Sequence, residues 1–276
     1  MPWHARLDLD YRMEAGRCVA RFQHDGPLRI LQSLYPEDQS ICHNVIVHPP
    51  GGLVGGDTLE IDVRVGEGAH GLVTTPGATR FYRSDGDPAV QTTRIRLDAQ
   101  ARMEWLPLEA ICYSGCLAEN RLRMELAAGS ELMGWDVTAL GLPEAALPFD
   151  RGRLLQHIEL AGHWLERGRI EAGDHRMLNG PLGLGGRRCL ATLFLVSGTD
   201  FPRPRRELAL ALAREIIEAD PLAATAGATA PGSRVLAVRV LAPLVEPALA
   251  LLKAVRSCWR ASLWDLPATV PRSWAL

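Results

Sequence analysis

The densest cluster of residues suited to chemistry is residues 48–57. The segment contains, in order, His48, Gly51, Gly52, Gly55, Gly56 and Asp57. Paired glycines allow positive φ angles and let one backbone approach another closely, so such a loop could cradle an anion. The segment lacks the spacing of a dinucleotide-binding fingerprint, and no helical pattern follows it. A tight structural turn is therefore the favoured interpretation.

A second polar segment, residues 74–83, places two threonines and two arginines around a Pro-Gly turn. The hydroxyls of Thr75 and Thr79 and the guanidinium groups of Arg80 and Arg83 could bind a phosphate or an acidic partner surface. A polar turn at a solvated strand end explains the same residues equally well. Both interpretations stay open.

Three carboxylates lie in apolar surroundings, namely Glu104, Glu109 and Asp136. Burying a carboxylate is costly unless it is hydrogen-bonded, paired or bound to an ion. They could line a polar passage through a β-structure, or each could pair with one of the many arginines, which is the favoured alternative. A third possibility is a hydrolase that uses Glu104 or Glu109 with Asp136 as an acid and base pair.

Several classes of chemistry are excluded by missing residues. Lys253 is the only lysine among 30 basic residues, and no glycine-rich loop precedes it, so a phosphate-binding loop for nucleotide hydrolysis is absent. Cys112 and Cys116 have no second close Cys/His pair to complete a zinc site. No nucleophile elbow, metalloprotease motif or calcium loop occurs.

Composition indicates the compartment. The 32 acidic residues balance the 30 basic ones, and no basic run occurs, which disfavours nucleic-acid binding. Residues 1–8 have no apolar core of a signal peptide, and the most apolar stretch, 235–255, is interrupted by charges and prolines. We therefore expect a cytoplasmic protein that does not bind membranes, with its six cysteines serving as small buried residues.

The elements that must position these residues are mainly β-strands. From about residue 17 to 198, short runs such as 59–65 alternate apolar and polar residues, which is typical of half-buried strands. A pattern of strand, tight turn and second strand recurs at spacings of 32, 29 and 34 residues, with equivalent positions at Val65, Leu97, Leu126 and Leu160. Such units stack on one another, so we expect coiled, solenoid-like layers of β-sheet. Chance recurrence of hairpins in an ordinary sandwich is the alternative.

The pattern changes in residues 199–276. Residues 205–219 and 247–263 are predicted as α-helices flanking the β-structure, the second with a proline in its first turn. Residues 223–232 are predicted as a loop of small residues and 234–240 as a strand. No break in composition requires two domains, so we treat residues 1–276 as one domain.

Four segments, in this order, resemble the UreD family of urease accessory proteins. They are His-Pro-Pro-Gly-Gly-Leu-Val-Gly-Gly-Asp at 48–57, Thr-Thr-Pro-Gly-Ala-Thr-Arg-Phe-Tyr-Arg at 74–83, Trp-Leu-Pro-Leu-Glu at 105–109 and Gly-Trp-Asp at 134–136. The similarity continues more weakly to residues 180–186 and 236–239, so it covers nearly the whole chain. Leu108, Tyr113 and residues 141–146 depart from the family pattern, which puts partner contacts near that loop in question.

The resemblance implies a mainly β, coiled-sheet fold with two short helices and no catalytic role. It implies a scaffold that binds urease apoprotein and, with UreF and the GTPase UreG, helps nickel reach the urease active site. It places Asp57, Glu109 and Asp136 on a transient nickel path, with no tightly bound cofactor. The motif residues to which it implies scaffold or partner roles are His48, Gly51, Gly52, Gly55, Gly56, Thr75, Gly77, Thr79, Arg80, Tyr82, Arg83, Trp105 and Trp135.

Overall fold

A computed structural model describes residues 2–275. The strands are β1 (His4–Glu14), β2 (Arg17–Asp25), β3 (Arg29–Leu34), β4 (Ile41–Val47), β5 (Thr58–Val65), β6 (His70–Thr74), β7 (Thr79–Phe81), β8 (Ala89–Leu97), β9 (Arg102–Leu106), β10 (Ala110–Cys112), β11 (Cys116–Leu126), β12 (Glu131–Leu142), β13 (Leu147–Pro148), β14 (Gly152–Leu160), β15 (Trp164–Glu171), β16 (Cys189–Ser197), β17 (Ala226–Gly232) and β18 (Val235–Ala242). The α-helices are α1 (His175–Asn179), α2 (Arg203–Glu218) and α3 (Val245–Trp264), and short 3-10 turns lie at Pro143–Ala145, Ala223–Thr225 and Arg272–Ala275.

The strands form two stacked sheets. The first sheet has the order β15-β14-β11-β8-β5-β1-β2, and the second has the order β17-β18-β16-β12-β9-β6-β4-β3, with β7, β10 and β13 joined through β12. One apolar core fills the space between the sheets. A second core lies between the outer face of the second sheet and helices α2 and α3. The second sheet is therefore buried on both faces.

The predicted repeat is the unit that builds both sheets. Chain segments β5–β6, β8–β9 and β11–β12 each leave the first sheet, turn, and enter the second, next to and parallel with the preceding strand. Val65 is opposite Leu97, and Leu97 is opposite Leu126, as the alignment of the repeats predicts. The mainly β, coiled-sheet prediction is confirmed.

The fourth copy is not a full repeat. Strand β14 pairs parallel with β11, but Leu160 lies opposite Met124, two residues from the predicted position. The chain then reverses at Gly162, whose φ is +74°, and β15 returns antiparallel in the same sheet. This hairpin ends the coil and covers its last parallel strand.

Two predictions of local structure were wrong, and one short helix was not predicted. The β-structure begins at β1 rather than at residue 17, because the alternating apolar residues of His4–Glu14 are buried between the sheets. Residues 226–232, predicted as loop, form β17, since their backbone pairs with β18. The short helix α1 has no strong helical pattern and depends on its N-cap, where the Asp174 carboxylate accepts from Met177 N.

The two predicted C-terminal helices are present as α2 and α3, within two residues of the predicted bounds. They pack on each other, and Trp259 Nε1 of α3 donates to Ala209 O of α2 at 2.8 Å. Within residues 2–275, no helix combines the length and the hydrophobicity needed to cross a bilayer.

Candidate functional site

Strand β12 presents consecutive motif residues to two different buried layers. Trp135 points toward the helices, where its Nε1 donates to Pro107 O at 2.6 Å and its ring stacks on Trp274 with centroids 5.2 Å apart. Asp136, the next residue, points into the space between the two sheets, because side chains alternate along a strand. The Gly-Trp-Asp motif thus anchors the C-terminal segment on one face and places a carboxylate inside the β-structure on the other.

Asp136 is surrounded by neutral hydrogen-bond donors. Its Oδ2 accepts from Asn120 Nδ2 at 2.8 Å, and its Oδ1 accepts from Gln156 Nε2 at 2.5 Å and from Thr138 Oγ1 at 3.3 Å. Burial raises the pKa of Asp136 to about 6, against the opposing effect of the Gln156 and Thr138 hydrogen bonds, and the Glu166 carboxylate adds to the rise. The carboxylate is therefore ionised at neutral pH without an ion-pair partner in the described chain.

The amides that hold Asp136 belong to a ladder across the first sheet. Gln91, Asn120 and Gln156 occupy the same register on β8, β11 and β14, and Gln91 Nε2 lies 3.4 Å from Asn120 Oδ1. We call these three amides together with Asp136 the polar row. Leu59 holds the equivalent position on β5, so the row ends at β8.

A cavity of about 250 Å³ lies at the β8 end of the polar row. Gln91, Trp105 and His48 line it, together with Gly51, Thr75, Gly77, Thr79 and Arg80 of the two long motifs. The Nε2 atom of His48 is buried with no hydrogen-bond partner among the described residues. Burial lowers the pKa of His48, although Asp57 opposes the shift, so the imidazole is neutral at pH 7 and offers a nitrogen lone pair.

The paired glycines allow the first long motif to pack directly on the second. A Cβ on Gly52 would lie 2.4 Å from the Tyr82 ring, and one on Gly55 would lie 2.9 Å from Asp87 O. Leu53 N donates to Arg80 O at 2.7 Å. The two segments therefore form one unit at the cavity mouth, and the loop is a tight structural turn as favoured from its sequence.

Asp57 closes this turn. Its carboxylate accepts from Trp3 N at 2.7 Å and from Val54 N at 2.8 Å, and the residue is only 2% exposed. Gly51 and Gly56 have φ angles of +76° and +88°, in the left-handed region that favours glycine. Both carboxylate oxygens are thus used to hold backbone, which makes Asp57 a residue that shapes the turn between the cavity-lining Gly51 and strand β5.

The polar residues of the second motif form a turn and a surface strand end. Thr75 Oγ1 donates to Gly77 O and accepts from Leu108 N, both at 2.9 Å. Arg83 is exposed and pairs with Asp85 at 2.9 Å. Of the two interpretations left open, the structure therefore favours the polar turn for Thr75 and Arg83.

Glu109 lies in a different place from Asp136. Thr79 N donates to its backbone oxygen at 2.9 Å, while its half-buried side chain lines a groove of about 410 Å³ together with Arg188 and Glu246. Burial lowers the pKa of Lys253, and the nearby Glu109 carboxylate opposes that shift. The groove is on the helix side of the second sheet and includes part of the divergent segment 141–146.

Glu104 is fully buried in an ion network beneath α3. Its carboxylate pairs with Arg256 at 2.5 Å and with Arg260 at 3.0 Å, and Arg260 also pairs with Glu37 at 2.7 Å. Burial alone would raise the pKa of Glu104, but Arg256, His70 and Arg260 outweigh it and hold the pKa far below its usual range. The expected pairing of a buried carboxylate with arginines is confirmed here.

The geometry does not support an acid and base pair with Asp136. Glu104 and Glu109 lie on the helix side of the second sheet, whereas Asp136 lies on its inner side. The sheet itself therefore separates Asp136 from the other two carboxylates. Nor does the described part of the chain contain a group of three His, Cys, Asp or Glu side chains arranged to hold a metal.

Sequence reasoning missed the three amides of the polar row. The repeat contains a signal for two of them, since Gln91 and Asn120 each lie six residues before the aligned Leu97 and Leu126. Polar amides at a position that faces the core are unusual, so comparing repeats position by position identifies them. The same comparison does not identify Gln156, because the fourth copy of the repeat is shifted by two residues.

Comparison with known proteins gives a match over nearly the entire chain. A family model described as "UreD urease accessory protein" matches residues 4–275. The urease accessory protein UreD of Variovorax paradoxus (strain S110) is 66% identical over 275 residues, covering 100% of both chains. The urease accessory proteins UreD of Polaromonas naphthalenivorans (strain CJ2) and Methylibium petroleiphilum (strain ATCC BAA-1232 / LMG 22953 / PM1) are 65% and 47% identical, each covering at least 99% of both chains.

Proposed function

Because the chain belongs to the UreD family of urease accessory proteins, we propose that it is a non-catalytic scaffold that binds urease apoprotein and supports nickel delivery into the urease active site. The observation that carries this proposal is the match of the whole chain to the family, with relatives of nearly identical length that are named as accessory proteins. Accessory function also agrees with the separation of Asp136 from Glu104 and Glu109 by a sheet.

The polar row is the proposed route of the metal through the β-structure. Carboxylate and amide oxygens and one neutral imidazole bind Ni²⁺ weakly enough to release it, whereas a deep cage of several Cys and His ligands would retain it. His48 at the cavity, then Gln91 and Asn120, then Asp136 present such donors in sequence. Nickel is cargo in this scheme, and the protein holds no tightly bound cofactor.

Asp57 and Glu109 have different proposed roles on this route. Asp57 keeps the turn between Gly51 and strand β5 in shape through the backbone amides of Trp3 and Val54. Glu109 has no ion pair among the described residues and offers a carboxylate in the groove on the helix side. We assign the first an indirect effect on transit and the second a direct contact with nickel near a protein interface.

Assembly with UreF and the GTPase UreG completes the proposed function. The lone Lys253 lies within α3 and carries no phosphate-binding loop, so nucleotide hydrolysis is assigned to the partner. The proposed setting is the cytoplasm, where urease is assembled from its apoprotein subunits. The motif residues at the cavity mouth and the surface around Glu109 are candidate contacts for these partners.

Co-expression with urease subunits, UreF and UreG tests this function. The tagged protein is expected to retain urease apoprotein and UreF on a column, and the variant with Asp57→Ala, Glu109→Ala and Asp136→Ala is expected to retain them while failing to activate urease. Asp98→Ala, which removes a surface carboxylate paired with Arg64, is the matched control. If the wild-type protein failed to retain either urease apoprotein or UreF, the scaffold role would be contradicted.

Full activation by the triple variant would contradict the metal route while leaving the scaffold role intact. In that case the chain is an interaction module without a metal function. Calorimetric titration of the wild-type protein and of the triple variant with Ni²⁺ separates the two outcomes, because only the metal route predicts weak binding that the variant loses.

A further inference from the structure

The outer face of the first sheet carries a strongly basic groove. The groove has a volume of about 880 Å³ and is lined by Arg94, Arg121, Arg123, Arg153, Arg167 and Arg169. Within the part of the chain that the structure describes, Glu159 is the only carboxylate among the lining residues. The sequence shows no basic run, because these arginines alternate with core residues on four different strands.

The strand registers place like charges beside each other in this groove. Arg94 on β8 is directly opposite Arg123 on β11. In the next row, Arg121 on β11 and Arg167 on β15 lie on either side of His157 on β14, whose Nε2 is 3.0 Å from Glu159 Oε2. Like charges in adjacent positions destabilise a sheet. The arginines therefore lower the stability of the isolated protein, and a bound anion would remove this repulsion.

The carboxylates near the groove neutralise it only in part. Four of the six lining arginines each pair with a carboxylate outside the lining, namely Arg94 with Asp62 at 3.5 Å, Arg121 with Glu119, Arg123 with Glu125 at 3.3 Å and Arg169 with Glu171 at 3.1 Å. Over residues 2–275, neither Arg153 nor Arg167 takes part in an ion pair. These two arginines therefore offer guanidinium donors that a bound carboxylate can use.

We propose that this groove is a docking site for a carboxylate-rich segment of a partner protein. Guanidinium groups bind carboxylates through two parallel hydrogen bonds, which gives both affinity and orientation. The groove crosses the four strands β8, β11, β14 and β15, a width of roughly 14 Å at the usual strand spacing. An extended peptide of about four residues spans that distance.

Local charge favours an acidic peptide over a nucleic acid. Beyond the groove, the same face of the sheet carries carboxylates on β1 and β5, among them Asp8, Asp10 and Asp62. A continuous polyphosphate that extended past the groove would meet these like charges, whereas a short acidic segment would not. The net charge of the whole chain, −2, also gives no general attraction for nucleic acid.

Fluorescence anisotropy with a labelled peptide of four glutamates flanked by glycines tests the proposal. The wild-type protein is expected to bind it, and Arg153→Gln combined with Arg167→Gln is expected to weaken binding at least about tenfold. A second pair, Arg94→Gln with Arg123→Gln, should weaken binding in the same direction. The control is Arg6→Gln with Arg12→Gln, because these exposed arginines lie on the same sheet outside the groove and pair with Asp8 and Asp10.

The design distinguishes a docking site from general charge attraction. The control pair should keep affinity within about twofold of wild type, and thermal unfolding should show the groove variants to be at least as stable as wild type. Equal loss of binding in the groove and control variants would overturn the proposal. Tighter binding of a single-stranded DNA of the same net charge than of the peptide would overturn the choice of an acidic protein segment. Neither experiment involves urease or nickel, so the proposed function is tested separately.

Discussion

Two buried carboxylates on opposite faces of the second sheet show how neighbouring side chains set the pKa of a buried acid and decide whether its charge is already paired. Glu104, on the helix side, is 0% exposed and pairs with two arginines of α3. Asp136, on the inner side, is 9% exposed and is held by two neutral amides and a hydroxyl. The first has a strongly lowered pKa, and the second has a pKa raised to about 6.

The difference separates a structural charge from an available one. Arg256 and Arg260 neutralise Glu104 and clamp α3 to β9, so this carboxylate has nothing left to bind. Amide neighbours leave the negative charge of Asp136 uncompensated, and a cation that reaches it gains the full electrostatic attraction of a buried anion. Sequence context alone, an acidic residue beside tryptophan in both cases, does not distinguish the two.

The largest expected effect comes from removing the paired charge. Glu104→Gln leaves two buried guanidinium groups without their carboxylate, which should lower the free energy of unfolding by about 3–5 kcal/mol. Urea denaturation measures the change, with the surface substitution Glu125→Gln as control. A loss below about 1 kcal/mol would show that the network contributes little and would remove the contrast with Asp136.

Opposite pH dependences sharpen the comparison further. The pKa of Asp136 is raised from its unfolded value near 3.8 to about 6, so its contribution to stability is present below pH 4 and is lost as the pH rises through 6. Relative to Asp136→Asn, the wild-type protein should lose about 2–3 kcal/mol between pH 4 and pH 7. Glu104 has a lowered pKa, so its contribution is present above pH 4.5 and is lost as the pH falls below that value. Denaturation of both variants from well below pH 4 up to pH 7 measures the two slopes, and equal slopes would contradict the assignment.

Asp57 is a third buried carboxylate. Its surroundings are intermediate between those of Glu104 and Asp136, since backbone amides hold it. Asp57→Ala leaves Trp3 N and Val54 N without acceptors and should cost about 2 kcal/mol. Because the effect is on the turn, hydrogen exchange should increase in residues 48–57 and remain unchanged in α3. Unchanged exchange in the turn would show that the carboxylate does not close it.

The smallest effect on stability is expected for Glu109. Its half-buried side chain makes no ion pair among the described residues, so Glu109→Gln should change the free energy of unfolding by less than about 0.5 kcal/mol. Urease activation measured with the same variant shows whether the carboxylate has a functional role. A destabilisation above 1 kcal/mol would place Glu109 with the structural carboxylates, close to Glu104.

Much of the architecture is predictable because it is local or periodic. The alternation of residues 59–65 and the aligned positions Val65, Leu97 and Leu126 identify the coil, since each repeat contacts its neighbour in register. The reversal at Gly162 was not predictable, because a tight turn of small residues can either pass to the second sheet or fold back. Strand β17 was missed because its pairing with β18, rather than its own composition, makes it a strand.

The chemistry of the site was predictable in kind but not in partners. Burial of Glu104 and Asp136 follows from their apolar surroundings, and pairing with arginine was the favoured interpretation for each. The partner of Glu104 lies 152 residues away on α3, and no pattern in the sequence selects it from 29 arginines. The pairing prediction was wrong for Glu109, which makes no ion pair among the described residues. It was also wrong for Asp136, because the facing register of the first sheet supplies Asn120 and Gln156 instead.

The most direct test of the account is the nickel content of urease matured with the Asp136→Asn protein. The substitution keeps the shape of the side chain and removes its charge, so the complex should assemble as with Asp98→Asn, the surface control. We predict that urease from the Asp136→Asn complex contains at least about tenfold less nickel at limiting metal than urease from the control. Equal nickel content in the two preparations would contradict a route through the polar row.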